Sequence, residues 1–458
     1  MSDRRKVLEA FEEQKDFMNE KVAYGIENYR KGDAKITVVG KDGKAIPGAK
    51  VKVNQKSHEF RFGANIFMLD ELETEEKNEK YKAYFKKCFN TATIGFYWDT
   101  LEPEEGKPRY AADSPFIYRR PPIDSCVEFC EENGITPKAH CLNYDHFSPE
   151  WVRERSVPEI KEALIKRFES LAERYGKRIP CWEVFNELLI QNGTTPFYNE
   201  EDLMRWSFAQ AERYFPENTL MVNESNYAVF SCKHVRQNVA NCRNPYFMLC
   251  EKALAEGCRV DAVGMQFHFF IPKEFAEAGA KMMFDLKHHY AVLDQMAKLG
   301  KPLQITEVTI PAYSNDAEDE EIQAEIIKIL YSIWFSHPNV EQIIYWNLVD
   351  GYAHVGNPNE VARSQGNMTE GENQFYGGLV RFDLTPKPAY HTVKNLFEKQ
   401  WHTEETLNTD EGGSAFFRGF YGTYDVEIEL NGKRIVKEID LHKNGRSTFE
   451  LVLPSNLK

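Results

Sequence analysis

The 458-residue chain has no long apolar run. A membrane-spanning helix takes about 20 consecutive apolar residues, so no membrane partner is expected. Positive charge is also scarce: 57 Lys+Arg stand against 71 Asp+Glu, a formal net charge of −14. A surface of that sign repels phosphate backbones, and nucleic acid is not expected as a partner. The nine cysteines form no CxxC pair and no zinc-ligand spacing. That removes disulfide frameworks and structural zinc from consideration, and reduced thiols in a cytoplasmic protein are the expectation. N-x-S/T matches at Asn192, Asn223 and Asn367 carry no weight without secretion.

Other absences concern chemistry. No glycine-rich phosphate loop of the G-x-G-x-x-G or G-x-x-x-x-G-K-S/T kind follows an apolar run. No H-x-H or H-E-x-x-H suggests a catalytic metal, and no G-x-S-x-G elbow suggests a serine nucleophile. No cofactor and no metal are expected. The N-terminal MSDRRKVLEAFEEQKDFMNEKV lacks an apolar stretch behind its basic residues, so it does not read as a secretory signal. Leu8, Phe11, Met18 and Val22 fall near helical spacing, which predicts a helix within residues 1–33.

What the chain does have is alternation. Short apolar segments at 60–66, 91–97, 136–142, 181–187, 220–224, 260–268, 302–309 and 341–350 read as strands. Amphipathic segments between them, such as 157–175, 201–213, 283–298 and 318–336, read as helices, and 388–400 closes the series. Eight strand–helix units over about 340 residues are the count for an α/β (β/α)₈ TIM barrel, here 60–401. A doubly wound sheet is the alternative. The two ends differ. Residues 34–55 read as strand, turn, strand, and 415–453 as several strands broken by Asn-Gly pairs at 431–432 and 444–445. Two or three strands are marginal alone, so 34–59 and 402–458 are expected to combine into one small β-sandwich. That module is expected to stabilise the barrel or to join two copies into a homodimer.

In such a barrel the reactive side chains lie at the C-terminal strand ends. Those ends supply Trp98; His140, Asn143, Tyr144 and Asp145; Asn186 and Glu187; Asn223, Glu224 and Asn226; Gln266 and His268; Glu307; and Trp346 and Asp350. Glu187 and Glu307 each end an apolar strand, where a carboxylate is costly unless it has a task. Two carboxyls facing across one pocket are the minimal machinery for glycoside hydrolysis, one donating a proton and the other attacking or activating water. Salt bridges at the rim are the plainer alternative. His140 and His268 read as histidines that tune a carboxylate rather than as metal ligands.

Six strand motifs in order carry a family pattern. They are F-N-T-A-T…W-D-T-L-E-P-E-E-G at 89–106, A-H-C-L-N-Y…S-P-E-W-V at 139–152 and W-E-V-F-N-E at 182–187, followed by V-N-E-S-N at 222–226, G-M-Q-F-H at 264–268 and I-T-E-V at 305–308. The chain resembles glycoside hydrolase family 10, the retaining xylanases on a (β/α)₈ barrel. The resemblance implies Glu187 as general acid and then base, Glu307 as nucleophile, Asn186 on the sugar 2-hydroxyl, His268 and Gln266 supporting Glu307, and Trp346 flooring the cleavage point. The carbohydrate-binding shell would include His140, Asn143, Tyr144, Asp145, Trp98 and Asn223.

The departures lie where the family grips xylose. Its second-strand Glu-Asn and Lys are replaced by Ile94, Gly95, Phe96 and Tyr97, and its third-strand Trp-His by Tyr144 and Asp145. Phe96, Tyr97, Phe267, Phe269 and Phe270 stand at rim positions that the family keeps polar. The expected substrate is therefore an oligosaccharide or small plant glycoside rather than ordinary xylan. A carbohydrate-binding protein on an inactive barrel is the alternative. The phrases at 43–53 and 409–426 resemble the transthyretin-like sandwich, with the barrel inserted between its halves.

Overall fold

The computed structural model of the chain describes residues 4–190, 193–230, 244–355 and 366–454. Asn192, Cys232, Cys242 and residues 356–365 of the loop after the last barrel strand lie outside the described residues. Seven strands flank the barrel in sequence: β1 (Lys31–Gly40), β2 (Lys50–Gln55), then, after the barrel, β11 (Glu404–Asn408), β12 (Ser414–Phe420), β13 (Gly422–Leu430), β14 (Lys433–Leu441) and β15 (Thr448–Leu453). The barrel strands are β3 (Arg61–Asn65), β4 (Thr91–Gly95), β5 (Thr136–His140), β6 (Cys181–Asn186), β7 (Thr219–Glu224), β8 (Ala262–His268), β9 (Leu303–Thr309) and β10 (Val340–Tyr345). They close in the order β10-β3-β4-β5-β6-β7-β8-β9. Closure decides against the doubly wound sheet, and it leaves no edge strand.

The barrel strands are buried on both faces because helices cover the outside and side chains fill the inside. All six residues of β6 and all seven of β9 are buried. The helix Val157–Tyr175 shows why the intervening segments are helical. Ser156 and Glu159 close a capping box, a proline sits in the first turn, and Ile160, Leu164, Phe168 and Leu171 face inward at helical spacing. The last barrel strand is shorter than the 341–350 segment: β10 stops at Tyr345, and Trp346–Asp350 turn at the barrel mouth.

By contacts, the chain forms two compact units. One comprises 1–15, 62–334 and 339–392 and holds the barrel; the other comprises 16–61, 335–338 and 393–458. The second is a sandwich of a β12-β1-β15 sheet and a β11-β2-β13-β14 sheet. Its core draws Ile36, Val38, Val51 and Val53 from the N-terminal side and Phe417, Tyr424, Val426, Ile428, Phe449 and Leu451 from the C-terminal side. The first Asn-Gly pair is a two-residue hairpin turn between β13 and β14, with Asn431 at φ 51° and Gly432 at φ 77°. The second is not a hairpin. There the chain crosses to the other sheet, where β15 runs parallel to β1. The turn after β1 likewise carries the chain between sheets, since β2 pairs with β11 and β13. The exposed edge strand β11 escapes sequence reading because it has no apolar alternation.

Candidate active site

A cavity of about 500 Å³ opens at the C-terminal ends of the barrel strands, and both Glu187 and Glu307 line it. Glu307 sits in β9, and Glu187 follows β6 directly. Neither carboxylate belongs to an Arg or Lys salt bridge among the described residues, which disfavours the rim-bridge reading.

Glu307 is the more tightly held. Its Oε1 accepts from Asn223 Nδ2 at 2.9 Å and from Gln266 Nε2 at 3.0 Å. Its Oε2 lies 3.1 Å from His268 Nε2, whose Nδ1 meets the Thr309 hydroxyl at 2.9 Å. The supporting amides are themselves fixed. Asn223 Nδ2 and Gln266 Nε2 also donate to Asn186 Oδ1, at 2.9 and 3.2 Å. Thr306 donates its hydroxyl to Asn223 Oδ1 at 2.6 Å. These bonds fix the Asn186 amide at the cavity wall. Gly264 makes room for the cluster, because a Cβ there would lie 2.5 Å from Asn223 Oδ1 and 2.7 Å from Met221 Cε.

Burial pushes the Glu307 carboxyl up to about 8. His140 opposes the rise, while the charges of Glu187 and Glu183 add to it. Burial lowers His268, so a neutral imidazole faces Glu307. When Glu307 is ionised, two amide N–H groups and an imidazole N–H can all point at it, which supports the charge against the cost of burial.

Glu187 is placed by strain and by Tyr144. Its φ of 54° lies in the left-handed region, unusual for a residue with a Cβ. Its backbone N–H donates to the Asn223 carbonyl at 3.0 Å, and Leu189 N–H to Glu224 Oε2 at 2.9 Å pins the following turn. The Tyr144 hydroxyl donates to Glu187 Oε2.

Beneath the pair the interior is ionic. Glu183 bridges Lys138 and His140 Nδ1, all three side chains being buried. Burial would raise Glu183, but Lys138 and His140 outweigh it and hold the carboxyl below its ordinary value. His140 Nε2 reaches the Tyr97 hydroxyl at 2.9 Å. Trp346 forms the floor, its ring edge-on to Phe67, His140 and His268 with centroids 5.3, 5.5 and 5.9 Å away.

Of the twelve residues given a role by the resemblance, Glu187, Glu307, Asn186, His140, Tyr144, Asp145, Gln266, His268 and Trp346 line the cavity, as does the strand-end residue Asn226. Asn143, Asn223 and Trp98 lie outside the lining. Asn143 donates to the Val184 carbonyl at 2.9 Å, and Asn223 braces Glu307 from behind. Trp98 turns away: its Nε1 bonds Glu102 Oε2 at 2.9 Å and its ring packs edge-on against Trp151. Asp145 lines the wall, yet its carboxylate accepts the backbone N–H groups of Thr194 and Thr195 at 2.8 and 3.0 Å, an anchor for that loop. Among the rim aromatics, Tyr97 and Phe270 line the cavity, whereas Phe96, Phe267 and Phe269 pack in the interior. Phe270 stacks on His268 with centroids 4.7 Å apart.

Sequence reading missed Arg119, Arg120, Phe147, Arg153, His354 and Glu372, which also line the cavity. They come from loops and single-turn helices too short to show periodicity; the only local signal is the Arg-Arg-Pro-Pro run at 119–122. Thr306 was missed because only the folded β7/β9 geometry brings its hydroxyl to Asn223. Among the described residues, no group of three or more His, Cys, Asp or Glu side chains is arranged to hold a metal ion. The seven described cysteines are buried and none forms a disulfide, and no described helix is long and apolar enough to cross a membrane.

Comparison with known proteins gives this geometry a lineage. The model of glycosyl hydrolase family 10 matches residues 54–396, about three quarters of the chain. The chain belongs to glycosyl hydrolase family 10. Relatives include an anti-sigma-I factor, RsgI6, of Acetivibrio thermocellus, 26% identical over 89% of this chain and 46% of its own length. Endo-1,4-beta-xylanase 2 of Arabidopsis thaliana is 23% identical over 93% of this chain and 35% of its own length. The chain thus spans less than half the length of these two relatives. Endo-1,4-beta-xylanase B of Thermotoga neapolitana is 24% identical over 74% of this chain and 88% of its own length. Among solved structures, xylanase 10B of Thermotoga petrophila in complex with xylobiose aligns with a TM-score of 0.56 at 23% identity, covering 75% of this chain and 95% of that one. At that identity the likeness establishes the family's barrel fold. Both Glu187 and Glu307 fall inside the family-matched range.

Proposed function

We propose that the protein is a retaining β-glycoside hydrolase that works by double displacement, with Glu187 as acid/base and Glu307 as nucleophile. The observation that carries this reading is the convergence of Asn223, Gln266 and His268 on Glu307, in the cavity that also holds Glu187. In the first step Glu187 gives its proton to the glycosidic oxygen as the C1–O bond breaks, and a Glu307 oxygen bonds to C1. In the second, Glu187 takes a proton from water, the water oxygen bonds to C1, and Glu307 leaves as a carboxylate. Asn186 Nδ2 is oriented to donate to the sugar 2-hydroxyl, and Trp346 supplies an apolar floor for the ring.

The substrate is an oligosaccharide or small glycoside rather than ordinary xylan. Tyr97 and Tyr144 stand where the family keeps xylose-gripping polar groups, and Phe270 adds apolar wall. Buried cysteines without disulfides fit a reducing, cytoplasmic setting. The test is a glycoside panel with product anomers followed by NMR. Net retention is expected, with Glu307→Ala abolishing turnover and Glu187→Ala sparing only substrates with good leaving groups. Near-wild-type activity in either variant ends the proposal. A carbohydrate-binding protein on an inactive barrel is the competing reading. Tight oligosaccharide binding with no hydrolysis across the panel selects it.

A further inference from the structure

One side of the cavity is built from cations that the catalytic scheme does not use. Arg119 and Arg120 come from the loop before the helix Ile123–Glu132, and both line the cavity. They are 4% and 9% exposed, so both residues are more than nine-tenths buried. Buried arginines normally face a carboxylate, because an uncompensated buried charge is costly. Here every hydrogen-bond partner is neutral. Arg119 Nη1 donates to Asn347 Oδ1 at 2.7 Å and to the Tyr352 carbonyl at 2.6 Å. Arg120 Nη1 donates to the Arg119 carbonyl at 2.9 Å, and its Nε has no hydrogen-bond partner. Neither forms an ion pair among the described residues.

Aromatic faces hold the two cations in place. The Arg120 guanidinium lies 3.9 Å from the centroid of Tyr97 and 5.4 Å from that of Phe147, and Arg119 lies 5.3 Å from Phe67. These contacts orient the pair but do not neutralise it. The nearby carboxyls do little more. Burial raises Asp99, and it raises Glu71 to about 8, so Glu71 is largely protonated at neutral pH. The uncompensated field registers on His354, which shares the cavity wall. Burial, Arg119 and Arg120 together drive its imidazole down to about 3. Glu372, also on the cavity wall, connects to Arg119 only through Asn347, whose Nδ2 donates to Glu372 Oε2 at 3.1 Å.

We infer that Arg119 and Arg120 form a binding subsite for an anionic group carried by the sugar, the carboxylate of a hexuronic acid or a sulfate ester. Planar guanidinium donors match both oxyanions, which would supply the missing counter-charge. The inference rests on the glycosidase reading for its substrate, while the binding itself does not depend on turnover.

The experiment compares matched substrates on the full chain. Aryl β-glucuronides and aryl β-glucosides differ only at C6, and disaccharide glycosides bearing a terminal hexuronic acid, a sulfated hexose or a neutral hexose extend the comparison one sugar further. The anionic member of a pair should show a kcat/KM about 10–100-fold above its neutral counterpart, the range for a hydrogen bond to a charged group. The preferred arm, uronide or sulfate, identifies the source of the charge. Arg120→Gln and Arg119→Gln should collapse that ratio, and Arg120→Lys should retain part of it. A purely structural role would lower both members equally, and an unchanged ratio overturns the subsite. Absence of any anionic preference in the wild-type protein overturns it without a variant. Where no glycoside is cleaved, calorimetric binding of non-hydrolysable thio-linked uronides over neutral analogues sustains the subsite while the hydrolase reading falls. Equal or absent binding removes the subsite.

Discussion

Replacing Glu307 by Gln should change how stability depends on pH as well as abolishing turnover. The carboxyl is pushed from an ordinary 4.5 up to about 8 by burial. A folded state that holds its proton more tightly than the unfolded chain loses stability as pH rises between those two values. That contribution is complete below pH 4.5, declines through neutrality, and is gone above about pH 8. The interval of about 3.5 pH units, at about 1.4 kcal/mol each, sets an upper bound of about 5 kcal/mol. Glutamine keeps the shape and does not titrate. Its carbonyl can accept from Asn223 and Gln266, and its amide can donate to His268 Nε2. The variant should therefore gain on the wild type by up to several kcal/mol as pH rises across this window. Glu224, raised to about 7, and Glu71, raised to about 8, titrate in both proteins and cancel in the comparison. Urea unfolding of the two proteins at intervals from pH 4.5 to 8.5 measures the difference. Parallel stability–pH curves would refute the reasoning, since they would mean that Glu307 ionises as readily folded as unfolded.

Activity should follow the same carboxyl. Glu307 must be ionised to attack C1, so kcat/KM should rise with pH toward about 8, and a profile flat from pH 5 to 8 contradicts the assignment. Lys138→Met leaves the buried Glu183 carboxylate with His140 alone and should cost about 3–5 kcal/mol in denaturant unfolding, much of it recovered by Glu183→Leu in the same chain. Thr306→Val removes the donor to Asn223 Oδ1 and should cost about 1–3 kcal/mol, with kcat falling more than KM rises because Glu307 loses its fixed amide. Gly264→Ala forces a methyl against Asn223 Oδ1 and Met221 Cε and should destabilise by about 1–3 kcal/mol in the same assay.

Fold was legible wherever a segment is buried on a regular period. The helix Val157–Tyr175 carries its own cap, proline and inward stripe, and its boundaries are those of the pattern. Barrel strands β6 and β9 announce themselves as short, mostly apolar segments with a carboxylate at or near the C-terminal end. The sandwich was legible as strands but not as pairings. An Asn-Gly turn states that the chain reverses, not which sheet receives it, and the crossing into β15 depends on a partner some 400 residues away in the chain. Trp98 shows the same limit at the site. Its position just past a barrel strand suggested a sugar platform, but the helix beginning there turns the indole toward Glu102 and Trp151.

What the sequence concealed at the site has one physical origin: loops take their conformation from the surface they land on. Arg119 and Arg120 sit in a segment without periodicity, with Arg119 at φ 60°, and only the barrel mouth defines where their guanidiniums point. The replacement of the family's second-strand polar groups by Phe96 and Tyr97 reads in one dimension as a loss of grip. In three dimensions Tyr97 holds His140 by its hydroxyl and Arg120 by its ring face. The Tyr97 ring thus positions a cation that comes from a different loop, so substitutions at the two residues should be coupled. In a double-mutant cycle, Tyr97→Leu and Arg120→Gln should be strongly non-additive in the anionic-to-neutral kcat/KM ratio, because removing the ring already releases the guanidinium. Additive effects would mean that Arg120 is held by its main-chain acceptor alone.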